Sequence, residues 1–350
     1  MKDLGKIDQH TLERLFPSQT GYKNPNVLQG PSFGVDTAWI KLNNDQLLIT
    51  ASDPLSLIPS LGLKASAWLS VHLIANDIAT SGHAPEFAQF ILNLPKELSQ
   101  DDYFEYWEYL HQFCEEIGVA ITGGHTGFID QGNSTLAGGG TMFCVASPDT
   151  AKSAAHAQPN QSVILTKSAA LSSSAILAKS FPNFIQDKLG NKVWDAAQSN
   201  FYQTSVLPEL TTIKKEPCLL HTITALHDVT EGGVLGALYE LSQASAIGIH
   251  IEADRIPIRE EVAKVCSLFK IDPLYSIGAG SLIIICDNTY SEVLIKRLHE
   301  EQIQAALIGH TYSKEEGCWM ERQGKKTALQ YVETDPYWEA YFKAITQHLD

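Results

Sequence analysis

Two adjacent glycines, set between an apolar run and a helical pattern, constrain the fold of this chain more than any other feature. They lie in the segment His227–Leu238, which reads His-Asp-Val-Thr-Glu-Gly-Gly-Val-Leu-Gly-Ala-Leu. The apolar run ends at Leu226, and after the glycines Val234, Leu235 and Leu238 recur at helical spacing. The segment therefore predicts a strand, a sharp turn and a helix.

In this prediction Thr230 is the N-cap of the helix, Glu231 faces its positive end, and Gly232 and Gly233 form the first turn. Glycine in a helix costs roughly 0.5–1 kcal/mol relative to alanine, so two of them need a reason. One reason is that bare amides are offered to an anion such as phosphate at a helix N-terminus. The other is close packing of the helix on the strand. The residues leave both explanations open.

Three aspartates occupy comparable places in the first half of the chain. Asp36 begins a predicted strand, Asp53 ends one, and Asp77 lies near the end of a predicted helix over Lys64–Thr80. A helix C-terminus is already negative, so a bound cation would relieve the carboxylate there. Carboxylates together with nucleotide phosphates are the usual ligands of magnesium. Composition alone instead favours three solvated loop aspartates.

Predicted strands and helices alternate along 350 residues, which indicates an α/β or α+β chain of two domains. A strand over residues 119–122 is predicted to open into a turn formed by Gly123, Gly124, His125 and Thr126. The polar stretch 148–161 is predicted to link the domains.

Bulk composition narrows the class of partner and the compartment. The net charge of −15 argues against a broad nucleic-acid or anionic-membrane surface. No apolar stretch is long enough for a membrane span, and the polar start shows no signal peptide. The six cysteines are scattered without a Cys-x-x-Cys pair, so we expect reduced, mostly buried thiols in a cytoplasmic protein.

The glycine segment also resembles a known family. Asp228-Val-Thr-Glu-Gly-Gly-Val is similar to the Asp-x-Thr-x-Gly-Gly-Leu signature of the aminoimidazole-ribonucleotide synthetase (PurM-like) superfamily. Further resemblances follow the same order along the chain. Gly34-Val-Asp-Thr-Ala-Trp-Ile is similar to Gly-Asp-Asp-Ala-Ala-Val, Asp53 matches Thr-Thr-Asp, and Asn76-Asp77-Ile-Ala-Thr-Ser-Gly matches Asn-Asp-Val-Ala-x-Ser-Gly.

The resemblance implies an α+β fold of the α/β sandwich type with PurM-like two-domain architecture. It divides the chain into an N-terminal helix and flexible segment (1–29), an ATP- and Mg²⁺-binding domain (30–149) and a C-terminal domain (150–350). The sheet of the first domain is expected to form a barrel with a second copy in a homodimer. In the family, Mg-ATP lies in a groove between two subunits.

Carried over residue by residue, the resemblance makes Asp36, Asp53 and Asp77 the metal candidates and gives Asn76 a role in orienting phosphates. The remaining expected ATP contacts are Gly123, Gly124, His125, Thr126, Asp228, Gly232 and Gly233. Two departures stand out: Val35 replaces the first carboxylate of the usual pair, and His125 stands where the family has an acid. Fewer metal ions, or one held more weakly, are therefore expected.

Within the superfamily, Ile256-Pro-Ile-Arg-Glu-Glu-Val and Ile271-Asp-Pro-Leu-Tyr resemble the branch of the hydrogenase-maturation dehydratase HypE. Members of that branch use ATP to dehydrate a thiocarboxamide on their own C-terminal cysteine, at the end of a Pro-Arg-Ile-Cys tail. This sequence ends in Leu349-Asp350 and its last cysteine is Cys318, so that reaction is disfavoured.

The leading expectation is an ATP-dependent enzyme that activates an oxygen of an unidentified small-molecule or protein-borne acceptor by phosphoryl transfer. The alternatives are a small-molecule kinase like thiamine-monophosphate kinase and a non-catalytic nucleotide-binding dimer. Few lysine or arginine side chains lie near the predicted site to bind the phosphates. Lys64 and Lys167 lie near the predicted site loops, although exposure to solvent is the default for both.

Overall fold

The structure is a computed structural model that describes residues 6–7, 9–16, 19–130, 135–332 and 334–349. Residues 1–5, 8 and 17–18 of the predicted N-terminal segment lie outside the described residues. The strands are β1 (Val27–Gln29), β2 (Ala38–Asn43), β3 (Gln46–Ser56), β4 (Phe87–Pro95), β5 (Ala120–Ile129), β6 (Leu136–Ala146), β7 (Gln161–Thr166), β8 (Ile223–Asp228), β9 (Gly248–Glu252), β10 (Leu282–Asp287), β11 (Ala305–Tyr312), β12 (Cys318–Arg322) and β13 (Lys325–Ala328).

The α-helices are α1 (Gln9–Leu15), α2 (Gly62–Ala79), α3 (Gln100–Glu116), α4 (Leu171–Ser180), α5 (Pro182–Leu189), α6 (Asn191–Ser199), α7 (Leu207–Lys214), α8 (Pro217–Thr222), α9 (Gly233–Ser245), α10 (Glu260–Phe269), α11 (Ser291–Glu300) and α12 (Pro336–Thr346). Short 3-10 helices lie between them, among them Ala154–His156 and Asn200–Gln203.

In the described part of the first half, six strands form a sheet in the order β1-β2-β3-β6-β4-β5. All neighbours are antiparallel except β4 and β5, which run parallel with α3 as their connection. Helices α2 and α3 cover the inner face, where Ile49, Ile74, Phe90 and Tyr106 are almost fully buried. Because side chains of a strand alternate between faces, Asp53 shares the inner face with Ile49.

The outer face of this sheet carries a group of apolar side chains and has no covering layer within the described chain. Its side chains are half-buried or exposed, and they include Ile40, Leu48, Phe87, Ile91, Phe143 and Val145. Ile91 is 52% exposed. An uncovered apolar group of this kind is typical of a surface that binds another protein.

In the second half, the described strands form a seven-stranded sheet in the order β13-β12-β9-β11-β7-β10-β8. Strands β7 and β10 are interior strands and are buried along almost their whole length, because both faces of the sheet are covered. Val163 and Leu165 face the core that includes α9, whereas Ile164 faces the core that includes α7 and α11. A further core joins the halves, since Ala65 and Leu69 of α2 pack among the helices of the second half.

The expected α+β class with one sheet in each half of the chain is confirmed, while the exact domain bounds and the dimer barrel stay predictions. Two local predictions were wrong. Asp53 does not end its strand, because β3 continues to Ser56 and pairs with β6. Residues 123–126 form no turn, because β5 runs through them as the parallel partner of β4. The predicted linker 148–161 runs between β6 of the first sheet and β7 of the second, and Ala151, Lys152 and Ser153 in it are buried.

Among the residues that the structure describes, none of the helices is long and apolar enough to cross a membrane.

Candidate functional site

The two halves of the chain meet at a cluster of ionisable side chains around the end of β8. Asp36 precedes β2, and His227 and Asp228 are the last residues of β8. One ligand-type atom of each lies within 4.8 Å of the others. The close approach depends on Gly34 (φ 74°), because a Cβ there would collide with the backbone carbonyl of Glu240 in α9.

His227 is a buried cation that ties this cluster together. Its Nδ1 lies 2.8 Å from Asp36 Oδ2, and its Nε2 lies 3.2 Å from Glu240 Oε2. Burial alone would lower the pKa of His227, but Asp36 and Glu240 outweigh it and raise the pKa to about 10. With a carboxylate at each nitrogen the ring donates twice and is an imidazolium. It is therefore a counter-ion rather than a metal ligand, which would need a neutral ring.

Asp228 has a carboxylate without a hydrogen-bond partner among the described residues. It is 1% exposed, and neither of its oxygens receives a hydrogen bond. Burial, followed by the charge of Asp36, raises its pKa to about 7. A buried carboxylate with no donor is costly unless a cation compensates it. The orphaned oxygens thus mark a place where a cation would be stabilised.

Asp53 and Asp77 lie in the same electrostatic environment. Asp53 projects from β3 toward α2, and burial raises its pKa to about 6. Asp77 lies in the last turn of α2, and its pKa is raised well above the ordinary value by burial and then by Asp228, Asp53 and Asp36. Their mutual repulsion means that the four carboxylates lie near one another, and the described residues grouped within 4.8 Å are Asp36, Asp228 and His227. The structure thus brings Asp36, Asp53, Asp77 and Asp228 together from both halves.

Asn76, expected to orient phosphates, is fully buried and holds a loop of the second half. Its Nδ2 donates to the carbonyl of Thr204 over 2.9 Å, and its Oδ1 accepts from the amide of Val206 over 2.8 Å. Both ends of the amide are thus engaged in protein contacts. Asn76 fixes α2, and with it Asp77, against the second half.

The diglycine turn differs in detail from its prediction. Helix α9 begins at Gly233 with Gly232 as N-cap, so Thr230 is not the cap. The amide of Gly232 donates to Asp335 Oδ2 over 2.8 Å, and a phosphate could reach it only if Asp335 moved. At Gly233 (φ 64°) a Cβ would lie 2.6 Å from the carbonyl oxygen of Leu274. Close packing therefore accounts for Gly233.

Gly123, Gly124, His125 and Thr126 are not brought to the carboxylates within one chain. They are exposed on β5, at the edge of the first sheet, and β4 and β6 separate them from β3 and Asp53. His125 is paired in register with Ile91, which points to the outer face.

The lysine beside the carboxylates is one that sequence reasoning missed. Lys6 Nζ lies 2.9 Å from Thr230 Oγ1 and 3.5 Å from Glu240 Oε1, and its backbone N–H donates to Glu231 Oε2 over 2.9 Å. Burial lowers its pKa, but Glu240, Asp36 and Asp228 reverse this and raise it above the ordinary value. No local pattern around Lys6 announces this contact, because its partners lie in the second half of the sequence.

The two lysines considered from the sequence lie elsewhere. Lys64 is exposed, 5.8 Å from the ring centroid of Tyr109. Lys167 is 6% exposed rather than on the surface, and its Nζ binds Glu209 and the carbonyls of Ser205 and Gly280. Lys167 thus forms a structural ion pair and is not one of the cations beside the carboxylates of Asp36 and Asp228.

The donor set fits a hard divalent cation. The converging groups are carboxylate oxygens, which magnesium prefers, and the imidazole in the cluster is occupied at both nitrogens. Asp36, Asp53, Asp77 and Asp228 are the residues that could hold it. No sequence motif marks His227 or Glu240. His227 could have been noticed because it adjoins Asp228. Glu240 could have been noticed because a glutamate on the apolar face of a helix needs a buried partner.

Comparison with known proteins identifies the family of this chain. The family models of the AIR synthase related protein match the chain over residues 34–146 for the N-terminal domain and 158–318 for the C-terminal domain. The carbamoyl dehydratase HypE of Azotobacter vinelandii is 28% identical over 256 residues, which are 71% of this chain and 70% of that protein.

Two solved structures share the fold. A hydrogenase maturation protein HypE in complex with ATP superposes with a TM-score of 0.65 at 22% identity, over 93% of this chain and 96% of that one. Thiamine monophosphate kinase from Aquifex aeolicus gives a TM-score of 0.65 at 17% identity, over 91% and 98%. Since both family models match in order and cover most of the sequence, the chain belongs to the AIR synthase related family and to its HypE branch.

Proposed function

We propose that this protein is an ATP-dependent enzyme that binds Mg-ATP at the cluster of Asp36, Asp53, Asp77 and Asp228 and transfers a phosphoryl group to an oxygen of its acceptor. The observation that carries the proposal is the carboxylate of Asp228, buried and unpartnered beside three other acids. Four converging carboxylates repel one another unless a cation joins them. The ATP bound to the HypE of similar fold supports a nucleotide as the source of the phosphates.

In the proposed reaction the acceptor oxygen forms a bond to the γ-phosphorus, the bond to the β,γ-bridging oxygen breaks, and ADP leaves. Bound Mg²⁺ would neutralise charge on the phosphate oxygens. The protein positions the acids that would hold the metal. Asn76 fixes the end of α2, which carries Asp77, against the loop at Thr204, and His227 fixes Asp36 against α9. Such transfer depends chiefly on positioning and charge.

A homodimer is part of the proposal. The uncovered outer face of the first sheet supports it, where Ile91 on β4 is 52% exposed. In a dimer, Gly123–Thr126 at the edge strand would be available to the site of the second subunit. We also propose a cytoplasmic location, since the six cysteines are unpaired and reduced thiols are usual there.

The test is titration calorimetry with a non-hydrolysable ATP analogue, with and without Mg²⁺, on the wild type and on Asp53→Asn. We expect Mg²⁺-dependent binding that the substitution weakens about tenfold or more, the loss typical of a hydrogen-bonded charged partner. Asp45→Asn, an exposed change in the turn before β3, is the matched control. Unchanged affinity in Asp53→Asn contradicts the metal role of Asp53.

ADP release in the presence of pooled hydroxyl- and amide-bearing acceptors then separates catalysis from binding alone. Release that depends on an acceptor supports phosphoryl transfer. Tight Mg-dependent binding with no release in any pool would instead favour the non-catalytic nucleotide-binding dimer.

A further inference from the structure

The imidazolium of His227 contacts Asp36 and Glu240, and the ammonium of Lys6 contacts Glu240 from the other side. Lys6 comes from the segment before α1, yet it lies against the turn that precedes α9. We propose that Lys6 is a phosphate-binding residue of this site, which brings an ammonium group from the N-terminal segment onto the phosphates of the bound nucleotide. The inference rests on the proposed function and adds a residue to it.

The anchoring of Lys6 leaves the metal candidates free. Its backbone N–H binds the side chain of Glu231 and its ammonium binds the hydroxyl of Thr230, and neither partner belongs to the four converging aspartates. The carboxylate in contact with its Nζ is that of Glu240, at 3.5 Å. A metal held by Asp36 and Asp228 would therefore not have to displace Lys6.

The ammonium also has a donor left for a ligand. An ammonium group has three N–H donors, and the two contacts to Thr230 and Glu240 account for two of them. The side chain of Lys6 is 43% exposed, so it borders the solvent and is not enclosed in a core. A lysine in such a position binds phosphate as a point charge.

The charge balance of the cleft requires a resident cation once a nucleotide enters. Among the described residues that act on Lys6 or His227, the acids Asp36, Asp53, Asp77, Asp228 and Glu240 face two cations. Mg²⁺ offsets part of the excess, but the triphosphate brings further negative charge. Because the chain as a whole carries −15, no general positive field helps. Lys6 is the side chain placed to supply the missing charge.

The alternative role for Lys6 is competition with the metal. In that case its ammonium occupies the metal position and must move away before Mg²⁺ binds. The two roles predict opposite effects of the same substitution. Loss of a phosphate-binding lysine weakens nucleotide binding and leaves binding of Mg²⁺ alone unharmed. Loss of a competing ion tightens both.

The experiment compares the wild type with Lys6→Ala, Lys6→Arg and the control Lys23→Ala, which removes an exposed lysine from the same end of the chain. Each protein is titrated with Mg²⁺ alone, with Mg²⁺ plus AMP, and with Mg²⁺ plus a non-hydrolysable ATP analogue. Lys6 is outside the buried cores, and a thermal melt verifies that each variant is folded.

We expect Lys6→Ala to weaken binding of the triphosphate analogue roughly tenfold to a hundredfold, the range for one hydrogen bond between charged groups. AMP and Mg²⁺ alone should bind within about twofold of the wild type, Lys6→Arg should keep most of the affinity, and Lys23→Ala all of it. A purely structural role of Lys6 would instead change AMP and the analogue alike.

Equal or tighter binding of the analogue by Lys6→Ala overturns the inference and leaves the proposed function intact. A wild-type protein that binds no analogue in the presence of Mg²⁺ overturns the proposed function itself, and the role of Lys6 falls with it. The two failures are therefore distinct.

Discussion

Replacement of Asp228 by asparagine should make the metal-free protein more stable at alkaline pH. The carboxylate is 1% exposed and has no donor among the described residues, so its ionised form is penalised in the folded state. Its pKa rises from 3.8 to about 7, chiefly through burial. At about 1.4 kcal/mol per pKa unit, ionisation of this group costs the fold up to about 4 kcal/mol above pH 7.

The sign of the pH dependence follows from this shift. A raised carboxylate pKa means that the folded protein keeps a proton that the unfolded chain releases, so stability falls as pH rises from 3.8 to about 7 and then levels off. Asparagine cannot ionise, although its buried amide forfeits hydrogen bonds worth about 1–3 kcal/mol. The net gain of Asp228→Asn at pH 8 is therefore roughly 1–3 kcal/mol.

Differential scanning calorimetry at pH 8 and pH 5 measures this effect. At about 2–4 °C per kcal/mol, the melting temperature of Asp228→Asn should exceed that of the wild type by several degrees at pH 8. The gain should vanish at pH 5, where the acid is already protonated. Mg²⁺ should stabilise the wild type by mass action and not the variant.

Asp45→Asn, an exposed change, controls for loss of a charge and should leave the melting temperature unaltered at both pH values. A lower melting temperature of Asp228→Asn at pH 8, or the same shift at both pH values, would refute the view of Asp228 as an uncompensated buried charge.

Three further outcomes follow from the structure. His227→Gln should lower the free energy of unfolding by about 3–5 kcal/mol in urea titrations, because it strands the carboxylates of Asp36 and Glu240; a loss below 1 kcal/mol would deny the ion pairs their role. Ile91→Asp should abolish the proposed dimer in sedimentation velocity, and an intact dimer would place the interface elsewhere. Gly233→Ala should destabilise the fold by about 1–3 kcal/mol, since it combines a positive φ of 64° with a collision against the neighbouring loop, and an unchanged melting temperature would argue against both.

Much of the fold and the acidic cluster could be predicted because the relevant signals are local. The apolar runs of β7 and β10 and the helical spacing after Gly233 fix those elements by themselves. The motifs around Asp36, Asp53 and Asp77 indicated a shared metal site only because they resemble motifs of the superfamily. Their residue types alone favoured solvated loops, because convergence is a property of the folded chain.

The rest depends on contacts between distant residues. The ammonium of Lys6 and the carboxylate of Asp335 reach the glycine turn from opposite ends of the chain, and neither has a motif that announces it. Lys167 was expected at the surface, but three acceptors, including Glu209, stabilise its charge in the interior. The turn predicted at Gly123 was wrong because pairing with β4 extends the backbone there.

The bond between Asp36 and His227 has a consequence for how this protein matures after synthesis. One partner lies just before the first sheet's β2 and the other in β8 of the second, so neither half by itself gathers all four acids. A chain whose second half is unfolded therefore lacks Asp228 and the imidazolium that holds Asp36. The complete cluster forms only when β8 docks and His227 lies between Asp36 and Glu240.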